Sequence, residues 1–437
     1  MAKIGVASAG GPAAGTAIDA DMLIRSVLFI ATFLAVWASF HPFPSLSEPP
    51  VEVTEGGDRV NQICFSILFL VFAAWAYFHQ PSRLLPLLRP SFVATLIWCA
   101  ACVVTSWEPL LSARRLIFTI VLLSVSAIVV LLPKNIRHFS DLFAATVLFV
   151  LALCYLGVLF APDFSIHQAT DFLEPEHAGK WRGIFTHKNY AGVTMVLFIF
   201  IGMFVARVRS IAVGGLIIVS SAVFLFFTQS KTAIGVLPIA LILTACINRL
   251  NRPVAGVLLV LSVLVGFGLI TVGSVYFESI RDLLETILPD ATFTGRTDLW
   301  QFGLQYLMQR PIMGYGFSAF WGTEQVVYGL GDNSSWVNAA SDAHNAYLNL
   351  ALTIGIPGLA LVIVWIIVMP IVDFCHRAPS PHTRALQLLF LRLLLFCVFS
   401  SCFENSIFQQ LDSVWFPFSM AAFGLRYMAI KSVELQH

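Results

Sequence analysis

Charge is what this sequence has least of. Its 437 residues include 25 Lys and Arg and 24 Asp and Glu, 11% in all, where a soluble chain carries about 25%. That is too little to cover a water-facing surface. It excludes a soluble enzyme, a disordered chain and a nucleic-acid binder with a basic face. No acidic cluster offers a divalent-metal site. Cysteine is present but without metal spacing. Cys64, Cys99, Cys102, Cys154, Cys246, Cys375, Cys397 and Cys402 all fall in or beside apolar runs, and read as small buried hydrophobes. The N-terminus lacks a basic stretch leading into an apolar one, so residues 1–21 are expected to be a disordered tail rather than a cleaved signal. Hydrophobic residues, by contrast, make up 58% of the chain. The expectation is an all-α polytopic membrane protein.

A span needs about 20 mostly apolar residues. Twelve runs qualify, at about 22–40, 61–79, 91–107, 115–132, 142–161, 189–206, 210–228, 232–248, 254–273, 355–373, 386–404 and 408–428. The 211–247 stretch is broken only by Lys231 and suits two helices turning at Gln229-Ser230-Lys231. A short amphipathic helix over about 343–353 is expected to precede the tenth span without crossing. With the N-terminus inside, the inner segments carry Lys3, Arg25, Arg83, Arg89, Lys134, Arg137, Arg207, Arg209, Arg249, Arg252, Arg377, Arg384, Arg426 and Lys431. The short outer loops carry only Arg59, Arg114, Arg115 and Lys231. This asymmetry predicts both termini inside. The chain then divides into a tail (1–21), five spans (22–161), an outer loop (162–188), four spans (189–273), a large outer loop with short helices (274–354), and three spans with a short inner tail (355–437).

The two long outer loops hold most of the residues able to do chemistry. The first ends Lys180-Trp181-Arg182-Gly183-Ile184-Phe185-Thr186-His187-Lys188-Asn189 and runs into the sixth span. Cations and a His at a helix N-terminus form an anion site, because free N–H groups and the dipole add to the charge; interface-anchor residues are the plainer reading. Lys231 is an ionisable residue near membrane depth, a functional candidate or a snorkelling turn lysine. In the second loop Thr294 or Thr297 is expected to cap a helix that places Arg296 at its start. Pro311 to Phe317 is a tight turn around Gly314, Tyr315 and Gly316. Ser341 or Asp342 is expected to cap the next helix, with His344 in its first turn, where the dipole favours the neutral form that suits a general base. Glu404 closes the eleventh span, with Asn405, Gln409, Gln410 and Asp412 beyond it; it either pairs with a loop cation, closing the bundle, or orients a hydroxyl. Arg392 reads as snorkelling inward.

Outer-facing cations with candidate bases suit a phosphate-bearing substrate. A lipid diphosphate carries its own activation: the lipid stays in the bilayer, cations meet the diphosphate, and a His takes the acceptor's proton.

At these residues the sequence resembles the O-antigen ligase and polysaccharide polymerase superfamily, nearest its exopolysaccharide polymerase branch. The resemblance rests on Trp181-Arg182-Gly183-Ile184-Phe185-Thr186-His187-Lys188-Asn189, Gln229-Ser230-Lys231-Thr232, Gly295-Arg296-Thr297-Asp298-Leu299-Trp300, Pro311 with Gly314-Tyr315-Gly316, and Ala343-His344-Asn345-Ala346-Tyr347-Leu348, in that order over about residues 180–360. It implies an inverting glycosyltransferase of the bacterial inner membrane, needing neither metal nor other cofactor, with its active face periplasmic. The donor is an undecaprenyl-diphosphate-linked oligosaccharide and the acceptor a lipid-linked glycan; chain-length regulator and export proteins are further partners. His344 and Arg296 match a loop His and Arg of the ligases, and Lys231 stands where the ligases have Arg, offering a point charge instead of a bidentate fork. The expected site is therefore His344, Arg296 and Glu404 for catalysis, with Arg182, His187, Lys188, Lys231 and Tyr315 binding diphosphate and glycan. Two other readings stay open: an O-antigen ligase transferring to lipid A core, and a transporter or flippase. Transporters place ionisable groups at the midplane of repeated halves, whereas no internal repeat is evident here.

Overall fold

The computed structural model describes residues 20–38, 42–47, 59–79, 88–172, 174–287, 293, 295–327, 340–376, 381–409 and 413–430. The expectations for Thr294, Gln410 and Asp412, and for all but the last two residues of the tail, fall outside these.

The fold is all-α. The helices are α1 (Ala20–Trp37), α2 (Arg59–His79), α3 (Pro90–Val104), α4 (Pro109–Val129), α5 (Ile136–Phe160), α6 (Lys188–Val208), α7 (Ile211–Thr228), α8 (Lys231–Leu250), α9 (Pro253–Ile270), α10 (Val272–Tyr276), α11 (Glu278–Ile287), α12 (Arg296–Gln309), α13 (Ala346–Ile363), α14 (Met369–His376), α15 (Pro381–Ser400) and α16 (Trp415–Ile430). Among the described residues ten helical stretches are long and apolar enough to cross a membrane, α13 and α14 counting as one. The 15-residue α3 and the 16-residue α16 complete the set. Each of the twelve apolar runs thus contains a helix, and the chain is a multi-pass membrane protein.

Local chemistry sets the boundaries. Pro90, Pro109 and Pro253 stand at helix starts, where their missing N–H costs nothing. Asn135, His187, Ser210 and Asn345 accept backbone N–H groups as side-chain caps. Gln229 and Asn251 end α7 and α8 in left-handed backbone. The Gln229 turn divides the 37-residue apolar stretch as expected.

A short helix precedes the tenth span, as expected. Residues 346–354 of α13 form this helix, which ends at Gly355, whose φ of 71° is not helical, and a second helix carrying Pro357 completes α13. A π-helical turn over Val364–Val368 then joins it to α14. Nothing with a side chain fits at Gly355: a Cβ would lie 1.8 Å from the Ile312 carbonyl oxygen. Apart from half-buried Tyr347, residues 346–354 are buried, so the polar residues among them face protein and the amphipathic pattern does not mark a surface helix.

The two ends of the bundle differ. At one end, Arg25 and Lys134 pair with Asp21, Arg209 with Asp141, and Arg89 and Arg426 with Asp373. The other end gathers the loop before α6, the starts of α6, α8, α12 and α13, and the segment after α15. Between them α16 is buried along almost its whole length, with Phe416 against Phe33 of α1 and Phe423 against Phe92 of α3.

Candidate functional site

The site forms where four helix starts meet the segment that follows α15. Glu404 is its hub. Its Oε1 accepts Nη2 of Arg296 at 3.0 Å and Nδ2 of Asn189 at 3.0 Å. Its Oε2 lies 3.4 Å from Nδ1 of His344. Arg296 also donates to the Phe403 carbonyl, so the guanidinium grips two successive residues. Burial alone would raise the Glu404 pKa, but Arg296 and His344 outweigh it and hold the carboxyl at about 2. Glu404 is thus a permanent anion at neutral pH.

His344 stands differently from the expectation. Asn345, not Ser341 or Asp342, is the N-cap of α13, accepting from Leu348 N at 3.0 Å. His344 precedes the cap in left-handed backbone, φ 46°, and its N–H donates to the Asp342 carboxylate at 2.6 Å. Burial pushes the imidazole pKa down, yet the Glu404 and Asp342 carboxylates push it further up, leaving it raised above the ordinary 6.5. The helix-terminal effect expected to favour the neutral ring is overridden by two anions within 4 Å. With Nδ1–H facing Glu404, Nε2 is left to accept a proton.

Arg296 opens α12, but Thr297 does not cap it; the N-cap is Gly295, φ 81°, with no side-chain cap bond. Lys188 opens α6 and is largely buried, its Nζ 3.4 Å from Oδ1 of Asn189. Lys231 opens α8 beside Ser230, exposed, and pairs with no carboxylate among the described residues. Helix starts favour anions, and here they bring Lys188, Lys231 and Arg296 together around the Glu404 hub.

Three expected site residues lie elsewhere. Arg182 is fully buried and donates to the carbonyls of Phe185 at 3.0 Å and Pro44 at 2.8 Å. It holds the loop onto the bundle rather than presenting charge to a ligand. Tyr315 is buried in an aromatic cluster with Trp107, Tyr306 and Phe320, its hydroxyl donating to the Tyr306 carbonyl at 2.9 Å. Its turn does form, with Gly314 and Gly316 at positive φ. His187 caps α6, its Nδ1 accepting Asn189 N–H at 3.1 Å.

Around His187 lies a second cluster that the sequence reading missed. Glu174, His177 and His187 have ligand atoms within 4.8 Å of one another, a spacing compatible with a metal. Their hydrogen bonds tell against one. Nδ1 of His187 accepts a backbone N–H, and Nδ1 of His177 faces the Lys180 ammonium at 3.2 Å. Each ring therefore keeps its proton on Nε2, the atom a metal would need, whereas a metal-bound imidazole donates from its other nitrogen. Both Nε2 atoms face Glu174 instead, at 2.8 Å and 3.9 Å, and the contact with His187 helps hold that carboxyl at about 2. His167 completes the arrangement: Nε2 accepts Lys188 N–H at 3.2 Å and Nδ1 meets Asp171 at 2.7 Å. Two imidazoles thus cap the first two amides of α6. Three His and three acidic residues between 167 and 187 were the available signal, but spacing over a loop does not reveal which rings meet.

Comparison with known proteins now bears on this geometry. Residues 216–363 match the O-antigen ligase family. Over that third of its length the chain is similar to that family. Over 196 residues it is 28% identical to the exopolysaccharide production protein ExoQ of Rhizobium meliloti (strain 1021). That alignment covers 41% of this chain and 43% of the relative, so the chain spans less than half of that protein's length. The family match takes in Ser230, Lys231, Arg296, Tyr315 and His344; Asn189 and Glu404 lie outside it.

Proposed function

We propose that the protein is a membrane glycosyltransferase of polysaccharide biosynthesis that polymerises lipid-diphosphate-linked saccharide units at the face carrying the Glu404 hub, with inversion at the sugar carbon. The observation that carries this reading is the meeting of Arg296, Glu404 and His344 with the starts of α6, α8 and α12. In the proposed reaction Nε2 of His344 takes the proton of the acceptor hydroxyl as its oxygen attacks the anomeric carbon. The bond to the lipid diphosphate breaks on the opposite face. Lys188, Lys231 and the N–H groups of Arg296 not used by Glu404 and Phe403 meet the departing charge. Glu404 accepts Nδ1–H of His344 and stabilises the imidazolium that forms, so proton uptake and leaving-group charge are handled by one ion-paired unit. By the distribution of basic residues this face is periplasmic and the termini are cytoplasmic, in the inner membrane.

The likeness to an exopolysaccharide production protein favours polymerisation; the O-antigen ligase match favours the second reading, transfer to lipid A core. Purified protein given lipid-linked repeat units alone is expected to extend chains. No extension, with transfer appearing once lipid A core is added, would replace polymerase by ligase. Loss of product in His344→Ala, in protein that remains folded, is the expected result for the base; full activity there would sink the mechanism.

A further inference from the structure

Two motifs, Thr186-His187-Lys188-Asn189 and Gln229-Ser230-Lys231-Thr232, contribute more than their cations. We infer that Asn189, held by Ser230, is a positioning residue that divides the two oxygens of Glu404 between Arg296 and His344. The inference rests on the reading of Glu404 and His344 just given.

The amide orientation is set by its neighbours. Ser230 Oγ–H donates to Asn189 Oδ1 at 3.3 Å, and the Lys188 ammonium reaches the same oxygen at 3.4 Å. Both can donate there, so Oδ1 must face them, and Nδ2–H is turned onto Oε1 of Glu404 at 3.0 Å. Ser230 is fully buried, and its own N–H is tied to Thr228 Oγ1 at 3.2 Å. It comes this close because residue 192, one turn beyond Asn189, is glycine: a Cβ there would lie 2.5 Å from Ser230 Cβ.

The consequence concerns Glu404. A carboxylate beside a guanidinium tends toward the bidentate fork, with both oxygens on the arginine. Here only Oε1 is on Arg296, while the other Nη goes to the Phe403 carbonyl. Asn189 pins Oε1 in that single-bond arrangement and leaves Oε2 facing His344 at 3.4 Å. Without the amide donor, Glu404 turns both oxygens onto Arg296. The imidazole then loses its carboxylate, and the guanidinium loses donors that would meet the departing charge.

Asn189→Ala is expected to lower kcat roughly 10- to 100-fold, the cost of about 1 Å of misplacement, with KM for the lipid-linked donor within about twofold. The acid limb of the kcat profile moves to lower pH, because His344 loses the anion that raises its pKa. Asn189→Asp separates the clamp from a merely structural link. It keeps an acceptor for Ser230 but, when ionised, cannot donate to Glu404, so it falls as low as Asn189→Ala. Wild-type activity in Asn189→Asp would overturn the inference. Ser230→Ala is expected to cost a few-fold, and the double variant Asn189→Ala/Ser230→Ala to be no worse than Asn189→Ala alone; additive losses would overturn the coupling.

A readout without glycan transfer distinguishes this inference from the reading beneath it. The pH dependence of diethylpyrocarbonate modification at His344, followed by mass spectrometry, is expected to show a lower pKa in Asn189→Ala than in wild type. An unchanged titration removes the clamp whatever the protein catalyses. A shifted titration in a protein that transfers no glycan would leave the clamp standing and remove the proposed function.

Discussion

At the scale of single residues, the protonation of His344 makes the sharpest forecast. Its pKa is raised above 6.5 by Glu404 and Asp342 against the opposing effect of burial. A raised pKa keeps the ring charged to higher pH, so the base is lost as pH falls through a value above 6.5, and initial rates should decline on that side. Glu404→Gln removes one of the anions responsible. The acid limb should then move to lower pH while the maximal rate falls, by about 10²-fold or more if the dyad contributes as general bases do. Rates measured from pH 5 to 9 check both statements, and a limb that stays put would detach Glu404 from the imidazole. Arg296→Ala is a less clean probe. Glu404 would keep one charged neighbour fewer in a half-buried site, at a cost of about 3–5 kcal/mol when such a pair is broken, so activity must be read beside melting temperature.

Arg182 tests the opposite kind of role. Its side chain is enclosed and committed to two carbonyls. Arg182→Ala should therefore lower thermal stability by about 2–3 kcal/mol, in line with the loss of hydrogen bonds to a charged donor, and leave KM for donor in the surviving folded protein unchanged. A selective rise in KM without loss of stability would restore it to the diphosphate site. The sequence made Arg182, His187 and Lys188 look equivalent, three polar residues leading into one helix. What separates them is where the chain turns: Gly183, the Ile166–Trp181 bridge and the approach of Pro44 carry Arg182 inward, and these are long-range facts that spacing along a loop does not contain. Glu404 was legible because a carboxylate closing an apolar run is costly unless it has a partner. Which partner it takes depended on α12 and α15 meeting.

At the scale of elements, the helices were nearly all legible, since lipid-facing apolar runs of this length admit few alternatives. The short helix before the tenth span is instructive for what its polar residues face. Residues 343–353 carry Asn345, Tyr347, Asn349 and Thr353, a pattern that reads as a surface helix, yet these side chains bond inward: Asn345 to the Cys402 carbonyl, Tyr347 to the Val398 carbonyl, Asn349 to Trp321. A polar stripe in a membrane protein can face other protein as readily as water. The bend at Gly355 is the element on which this depends. Gly355→Ala should lower the melting temperature and disturb His344, because α13 can no longer bring its start under the α15 segment while passing the Ile312 carbonyl. Circular dichroism melts together with the His344 titration would show whether the two effects travel together; a melting temperature equal to wild type would mean that the backbone finds another way round.

At the scale of the molecule, the prediction concerns sides. The pairs at the Asp21, Asp141 and Asp373 end and the Glu404 hub lie at opposite ends of the bundle. A single cysteine at Lys231, in a background lacking the exposed Cys246, should react in intact cells with a thiol reagent that does not cross the inner membrane; one at Lys134 should react only after permeabilisation. The reverse pattern would invert the assignment of the periplasmic face.

Helix α16 carries a consequence for how the bundle is assembled. α16 is 16 residues long, about 24 Å at helical rise, less than the roughly 30 Å of a hydrocarbon core. It is shielded from lipid on nearly every side, touching both the first span and the third. A helix synthesised after eleven other spans therefore occupies the middle. The eleven spans before it can reach the membrane in order, but they cannot close their packing until α16 arrives, and they must wait around an unfilled slot. Ribosomes that stop short, or tags that delay insertion of residues 415–430, would leave an open bundle exposed to quality-control proteases. For this architecture, insertion of α16 and closure of the core are one event.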